Sequence, residues 1–156
     1  MDYKILLHDD IIKQDLTLFV DIIYNNFIDL VDEPKLMHNK EKILELLQSS
    51  NSVLIISMNK NTMNGFILSE IMELDDRRQV LYISYIYIAK TLRTNGLGGK
   101  LMNIAESYAS KNNCLGVMLI FDTHNTSLVR FYEKRGYMLD INLRRYEQHD
   151  VFYKVV

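Results

Sequence analysis

Arg93-Thr94-Asn95-Gly96-Leu97-Gly98-Gly99-Lys100 holds three of the chain's six glycines within four positions. It stands between an apolar run, Leu81 to Ile88, and a stretch whose Leu97, Leu101, Ile104, Ala105 and Tyr108 fall on one helical stripe. The spacing predicts a buried strand, a glycine loop and a helix. A helix start leaves several backbone N–H groups unpaired and carries partial positive charge. A diphosphate accepts from such groups. Glycine lets the backbone approach phosphates closely or turn through positive φ, and Arg93 and Lys100 add charge. The same loop also reads as a device for close packing, and the string alone leaves both readings open.

Two familiar phosphate loops fail on inspection. A Walker loop ends in Gly-Lys-Ser/Thr after an earlier glycine, but Leu101 follows Gly99-Lys100 and position 94 is Thr. A dinucleotide fingerprint needs a third Gly or Ala three residues past Gly98, and Leu101 stands there. Asp122, near the end of the next strand, partly mimics the ribose-binding acid without restoring that fingerprint. A third pattern fits. Arg93-x-x-Gly96-x-Gly98 resembles the Arg/Gln-x-x-Gly-x-Gly/Ala signature of the GNAT superfamily of N-acetyltransferases.

The resemblance extends on both sides of the loop, over about residues 81–137. Upstream, Tyr85 to Arg93 is similar to the family's fourth strand and its lead into the loop. Ile88-Ala89-Lys90 replaces the frequent Val-x-Pro, so the proline is missing. Downstream, Asn125-x-x-Leu128-x-x-Phe131-Tyr132-Glu133-Lys134-Arg135-Gly136-Tyr137 resembles the family's Asn-x-x-Ala-x-x-x-Tyr-Glu-Lys-x-Gly-Phe block. Leu128 takes the place of the usual small residue. The resemblance implies an α/β (mixed α+β) GNAT-like fold, with a central sheet of about seven strands and helices on both faces. It implies acetyl-CoA as co-substrate and an amine as acceptor. By resemblance, Arg93, Thr94, Asn95, Gly96, Leu97, Gly98, Gly99 and Lys100 hold the diphosphate of coenzyme A. The main chain of Ile86 and Ile88 meets its acetyl and pantetheine portions. Asn125 either bonds the pantetheine arm or caps its helix.

Acetyl transfer from a thioester to an amine requires a deprotonated amine, a stabilised oxyanion and a proton for the departing thiolate. By resemblance, Tyr132 lies near the thioester sulfur and supplies that proton. A tyrosine ordinarily titrates near pH 10 and so remains a donor at neutral pH. The plain alternative is a buried core aromatic. Some relatives place a glutamate on the fourth strand, where this chain has Tyr82, Ser84 and Tyr85. The nearest candidate base is Glu70 on the preceding strand, acting through water; a solvated strand carboxylate is the competing reading. His124 adjoins Asn125 as a loop histidine. Cys114 has no evident histidine partner for a nucleophile's role. His8, His38 and His149 show no metal-ligand spacing, and no metal site is expected.

The rest of the chain sets the frame. Its 156 residues suit a single domain, 1–156. The formal net charge of −2 shows no basic excess for a nucleic-acid partner, and Arg144-Arg145 is too short for a patch. No apolar run approaches a membrane span or a signal peptide, and one cysteine excludes an internal disulfide. A cytoplasmic enzyme without membrane or nucleic-acid partners is expected, with a homodimer left open. The predicted order is β-α-α-β-β-β-α-β-α-β-β. Strands are expected at Tyr3–Leu7, Val53–Met58, Gly65–Leu74, Leu81–Ile88, Leu115–Phe121, Tyr137–Tyr146 and Val151–Val155. Alternation along the fourth strand groups Leu81, Ile83, Tyr85 and Tyr87 on one face, and Tyr82, Ile86 and Ile88 on the other. Asp29, Asp32 and Glu33 around Pro34 read as either an acidic acceptor rim or a hydrated loop, and Tyr146 as part of the opposite wall. Two functions stay open: an active N-acetyltransferase, or a catalytically silent module that binds an acyl-CoA.

Overall fold

The computed structural model of the chain describes residues 1–27, 38–121, 123–140 and 150–156. The elements run β1 (Asp2–Leu7), α1 (His8–Ile11), α2 (Leu16–Asn26), α3 (Lys40–Gln48), β2 (Ser52–Asn59), β3 (Thr62–Glu73), β4 (Gln79–Ile88), α4 (Leu97–Lys111), β5 (Gly116–Ile120), α5 (Thr126–Lys134), β6 (Met138–Leu139) and β7 (Val151–Val155). The seven strands form one sheet ordered β1-β2-β3-β4-β5-β7-β6. Every neighbouring pair is antiparallel except β4 and β5, which run parallel. Helix α4 is the crossover between those two, as a parallel connection requires.

Local chemistry explains the helix starts. The Asp15 side chain accepts the Leu18 N–H at 3.2 Å, and Asn39 accepts that of Lys42 at 2.9 Å. Helix α2 buries Phe19, Val20 and Ile23, and α3 buries Ile43 and Leu47. Both lie on one sheet face against Leu54, Ile56, Phe66 and Leu68. The opposite face carries α4, whose Leu97, Leu101, Met102 and Ala105 pack on Val53, Ile55, Ile67, Leu81, Ile83, Val117 and Leu119. Buried Glu106 on α4 binds Lys154 of β7 at 2.6 Å and Arg135, just past α5, at 3.3 Å. Those ion pairs tie three elements together on that face.

Three expectations change. Helix α1 is an added single turn, too short to show an apolar stripe. Strand β6 covers Met138–Leu139, and residues 141–149, which include Tyr146 and Arg144-Arg145, lie outside the described residues. Most important, the pairing of β3 with β4 jumps from Leu68↔Tyr85 to Ser69↔Ile83, leaving Ser84 as a bulge. The extra residue shifts the alternation by one. Leu81 and Ile83 therefore share their face with Ile86 and Ile88, while Tyr85 and Tyr87 turn to the α2–α3 side. Among the described residues no helix is long and apolar enough to cross a membrane.

Candidate active site

Strands β4 and β5 pair only from Val80↔Gly116 to Ile83↔Leu119. Beyond Ile83, β4 continues against β3 alone, up to Gly65↔Ile88. A wedge therefore opens in mid-sheet at the Ser84 bulge. Its β4 wall presents polar main chain. The Ala89 N–H donates to the Asn64 carbonyl at 2.9 Å, and hydrogen-bonded pairs alternate along an antiparallel ladder. Tyr87 and Tyr85 thus spend their main-chain groups on β3, while those of Ile86 and Ile88 point away from it into the wedge. One is already engaged: the Arg93 Nε–H donates to the Ile88 carbonyl at 3.0 Å.

The glycine loop stands at the end of this wedge. A short 3-10 turn at Lys90–Leu92 leads into it, and the Asn95 N–H returns to the Leu92 carbonyl at 3.3 Å. Thr94 and Gly96 both adopt left-handed backbone, φ 75° and 81°. A β-branched residue rarely does so, and such strain gathers at functional loops. Gly96 caps α4 without a side chain. The first bond of the helix runs from the Lys100 N–H to the Gly96 carbonyl at 3.1 Å. The amides of Leu97, Gly98 and Gly99 precede it and have no partner within the helix. Leu97 drives its side chain into the core, which fixes the direction of those amides. Arg93, Thr94, Asn95 and Lys100 are exposed around them. This donor set suits a diphosphate at the mouth of the groove.

The three loop glycines divide the work. Gly96 supplies the backbone turn. At Gly98 and Gly99, an added Cβ would meet the Phe131 ring at 3.7 Å and the Arg135 Nη1 at 3.2 Å. Their smallness brings α5 against the start of α4, so the packing reading also holds for this pair. Asn125 accepts the Leu128 N–H at 3.2 Å and caps α5.

Helix α5 carries Tyr132, which is 3% exposed and packs in the same core as Leu97, with Ile86 and Ile88 against it. Rings of Phe121, Phe131 and Tyr137 surround it at 4.7, 5.0 and 5.6 Å. Burial pushes its pKa up to about 12, with the Arg135 guanidinium opposing. The hydroxyl is thus kept protonated, as a proton donor requires. Glu70 lies opposite Tyr82 in the ladder. Burial raises its pKa, which makes the carboxylate a better proton acceptor than a solvated one. By strand alternation Glu70 sits on the α2–α3 face, whereas Tyr132 sits on the α4 face; the wedge passes between the two. Sequence reasoning missed the Arg93–Ile88 tie and the ring cluster around Tyr132, since contacts between elements leave no local signal. Asp29, Asp32, Glu33 and Asp122 lie outside the described residues.

Comparison with known proteins gives this geometry a lineage. Residues 20–137 match the model of the acetyltransferase (GNAT) family. The chain belongs to the GNAT acetyltransferase family. The GNAT match spans the wedge, the glycine loop and α5 together. A curated relative, the N-acetyltransferase YhfO of Bacillus subtilis, is 23% identical over 126 residues, covering 80% of this chain and 85% of that protein. The structure of Arabidopsis thaliana NAA60 in complex with acetyl-CoA superposes with a TM-score of 0.69 at 16% identity, over 99% of this chain and 98% of that one. The PaiA N-acetyltransferase of Thermoplasma acidophilum, in complex with coenzyme A, gives 0.67 at 18% identity over the whole of both chains. This GNAT protein is therefore an acetyl-CoA-dependent acetyltransferase. Its free loop amides and open β4 edge fit that co-substrate.

Proposed function

We propose that this GNAT enzyme transfers the acetyl group of acetyl-CoA directly to a primary amine of a small molecule or peptide. The observation that carries the reading is the wedge. It brings the Ile86 and Ile88 main chain, the Gly96–Gly99 amides and α5 with Tyr132 to one groove that passes between the two faces of the sheet. Acetyl-CoA supplies the activated acyl group. The loop amides, with Arg93 and Lys100, hold its diphosphate, and the β4 edge aligns the arm beside Ile86. A main-chain N–H on that edge donates to the developing oxyanion.

Two side chains divide the proton traffic. Tyr132 gives its proton to the departing thiolate. Glu70, through water, takes one from the incoming ammonium, so that the nitrogen lone pair is free to attack. Direct transfer needs both substrates together, where β4 runs on past its pairing with β5 at Ile83. One domain over 1–156, in the cytoplasm, completes the reading, and a homodimer is compatible with it.

The test is thiol release from acetyl-CoA against a panel of primary amines: polyamines, aminosugars, lysine derivatives and peptide N-termini. The reading predicts thiol release in step with an acetylated product for at least one class. Coenzyme A binding with no product across the panel supports the silent acyl-CoA-binding module instead.

A further inference from the structure

The bulge that opens the wedge also turns Tyr85 toward the α2–α3 face, and a buried histidine meets it there. His38 is 5% exposed. Its Nδ1 lies 2.8 Å from the Tyr85 hydroxyl, and its Nε2 3.4 Å from the Tyr24 carbonyl. A carbonyl only accepts, so Nε2 carries the hydrogen. A neutral imidazole then has a bare Nδ1. The Tyr85 hydroxyl must therefore donate to Nδ1, which leaves its oxygen lone pairs directed elsewhere. Rings enclose the pair: Tyr24 stacks on His38 at 5.6 Å, and Phe27 tilts against Tyr85 at 5.1 Å.

We propose that the Tyr85 oxygen is a hydrogen-bond acceptor for the acceptor amine, and that His38 is the positioning residue that fixes its polarity. Tyr85 directly precedes Ile86, whose main chain faces the wedge, so an amine approaching from the α2–α3 side passes the hydroxyl. A primary amine has N–H donors to give to that oxygen, and an arriving ammonium gains from the Phe27 ring that tilts against Tyr85. The inference rests on the reading under Proposed function and adds to it: Glu70 removes a proton, while Tyr85 orients the nitrogen. Burial pushes the Tyr85 pKa up to about 12, so the phenol stays neutral in the working range.

The test combines kinetics with spectroscopy. Tyr85→Phe raises KM for the amine about tenfold, since a hydrogen bond to a cationic donor is lost, and leaves coenzyme A affinity unchanged. His38→Asn keeps an acceptor oxygen near the Nδ1 position. It restores the low KM for the amine that His38→Ala, which leaves the Tyr85 hydroxyl without its acceptor, loses. Nitrogen-15 NMR of the wild-type imidazole, which needs no turnover, shows hydrogen on Nε2 and none on Nδ1 at pH 8. An unchanged KM in Tyr85→Phe, a wild-type KM in His38→Ala, or an Nδ1–H tautomer each overturns the proposal. A wild type that acetylates no amine overturns the parent reading as well, which separates the two failures.

Discussion

Gly96→Ala isolates the loop backbone from every other influence. Gly96 has φ 81° and ψ 3° at the cap of α4, and a methyl added there meets nothing within 4 Å. The substitution creates no clash, so its whole effect lies in the left-handed conformation, which costs an ordinary residue about 1–2 kcal/mol. In the free protein this exposed loop can relax away from that conformation. To present its amides to the diphosphate it must return. The cost then falls on binding, and at 1.4 kcal/mol per tenfold it raises the Kd for coenzyme A about 5- to 30-fold. Isothermal titration calorimetry measures this, with thermal unfolding run alongside. Gly96→Asn is the control, because asparagine tolerates the left-handed region better than alanine, and it should lose less affinity. If Gly96→Ala binds coenzyme A as tightly as wild type and unfolds at the same temperature, the loop backbone does not hold the diphosphate in this conformation.

Other perturbations probe separate parts of the account. Tyr132→Phe should lower kcat by about a hundredfold, in line with loss of a proton donor, and change coenzyme A affinity little; single-turnover thiol release reads it out. Glu70 tests pH linkage. Its pKa is raised by burial, so the folded state holds the proton more tightly than the unfolded chain, and stability falls as pH rises through the carboxylate range. Glu70→Gln should therefore raise Tm at pH 7 more than at pH 4 while slowing turnover, as thermal melts and the thiol assay at both pH values would show. At Gly116 an added Cβ would fall deep inside contact with the Tyr153 ring. Gly116→Ala should destabilise the fold by about 1–3 kcal/mol through overpacking, visible in a urea melt.

The sequence showed the glycine loop, its helix and the α5 block because each is a local pattern with a physical cause. Free amides, a left-handed glycine and a capping asparagine announce themselves within a few residues. The fourth strand announced itself too, but its bulge did not. Residues of both faces there are apolar or aromatic, so a one-residue slip in phase leaves the pattern looking the same. That slip decides where Tyr85, Tyr87, Ile86 and Ile88 point, and with them what the wedge can do. The His38–Tyr85 contact spans 47 positions and belongs to packing between α2, α3 and the sheet, for which no periodicity speaks. The dual use of Gly98 and Gly99 is similar: the approach of Phe131 and Arg135 is a tertiary fact. The Tyr153 ring against Gly116 is likewise a contact between strands with no local sign in the sequence.

Amide hydrogen exchange with and without saturating coenzyme A addresses the grip on the co-substrate residue by residue. The account predicts slowed exchange at Leu97, Gly98 and Gly99 and at the Ile86 and Ile88 amides, with β1 and β2 unaffected. Binding that leaves those five amides exchanging at their free rates, or that protects a different surface, would contradict it.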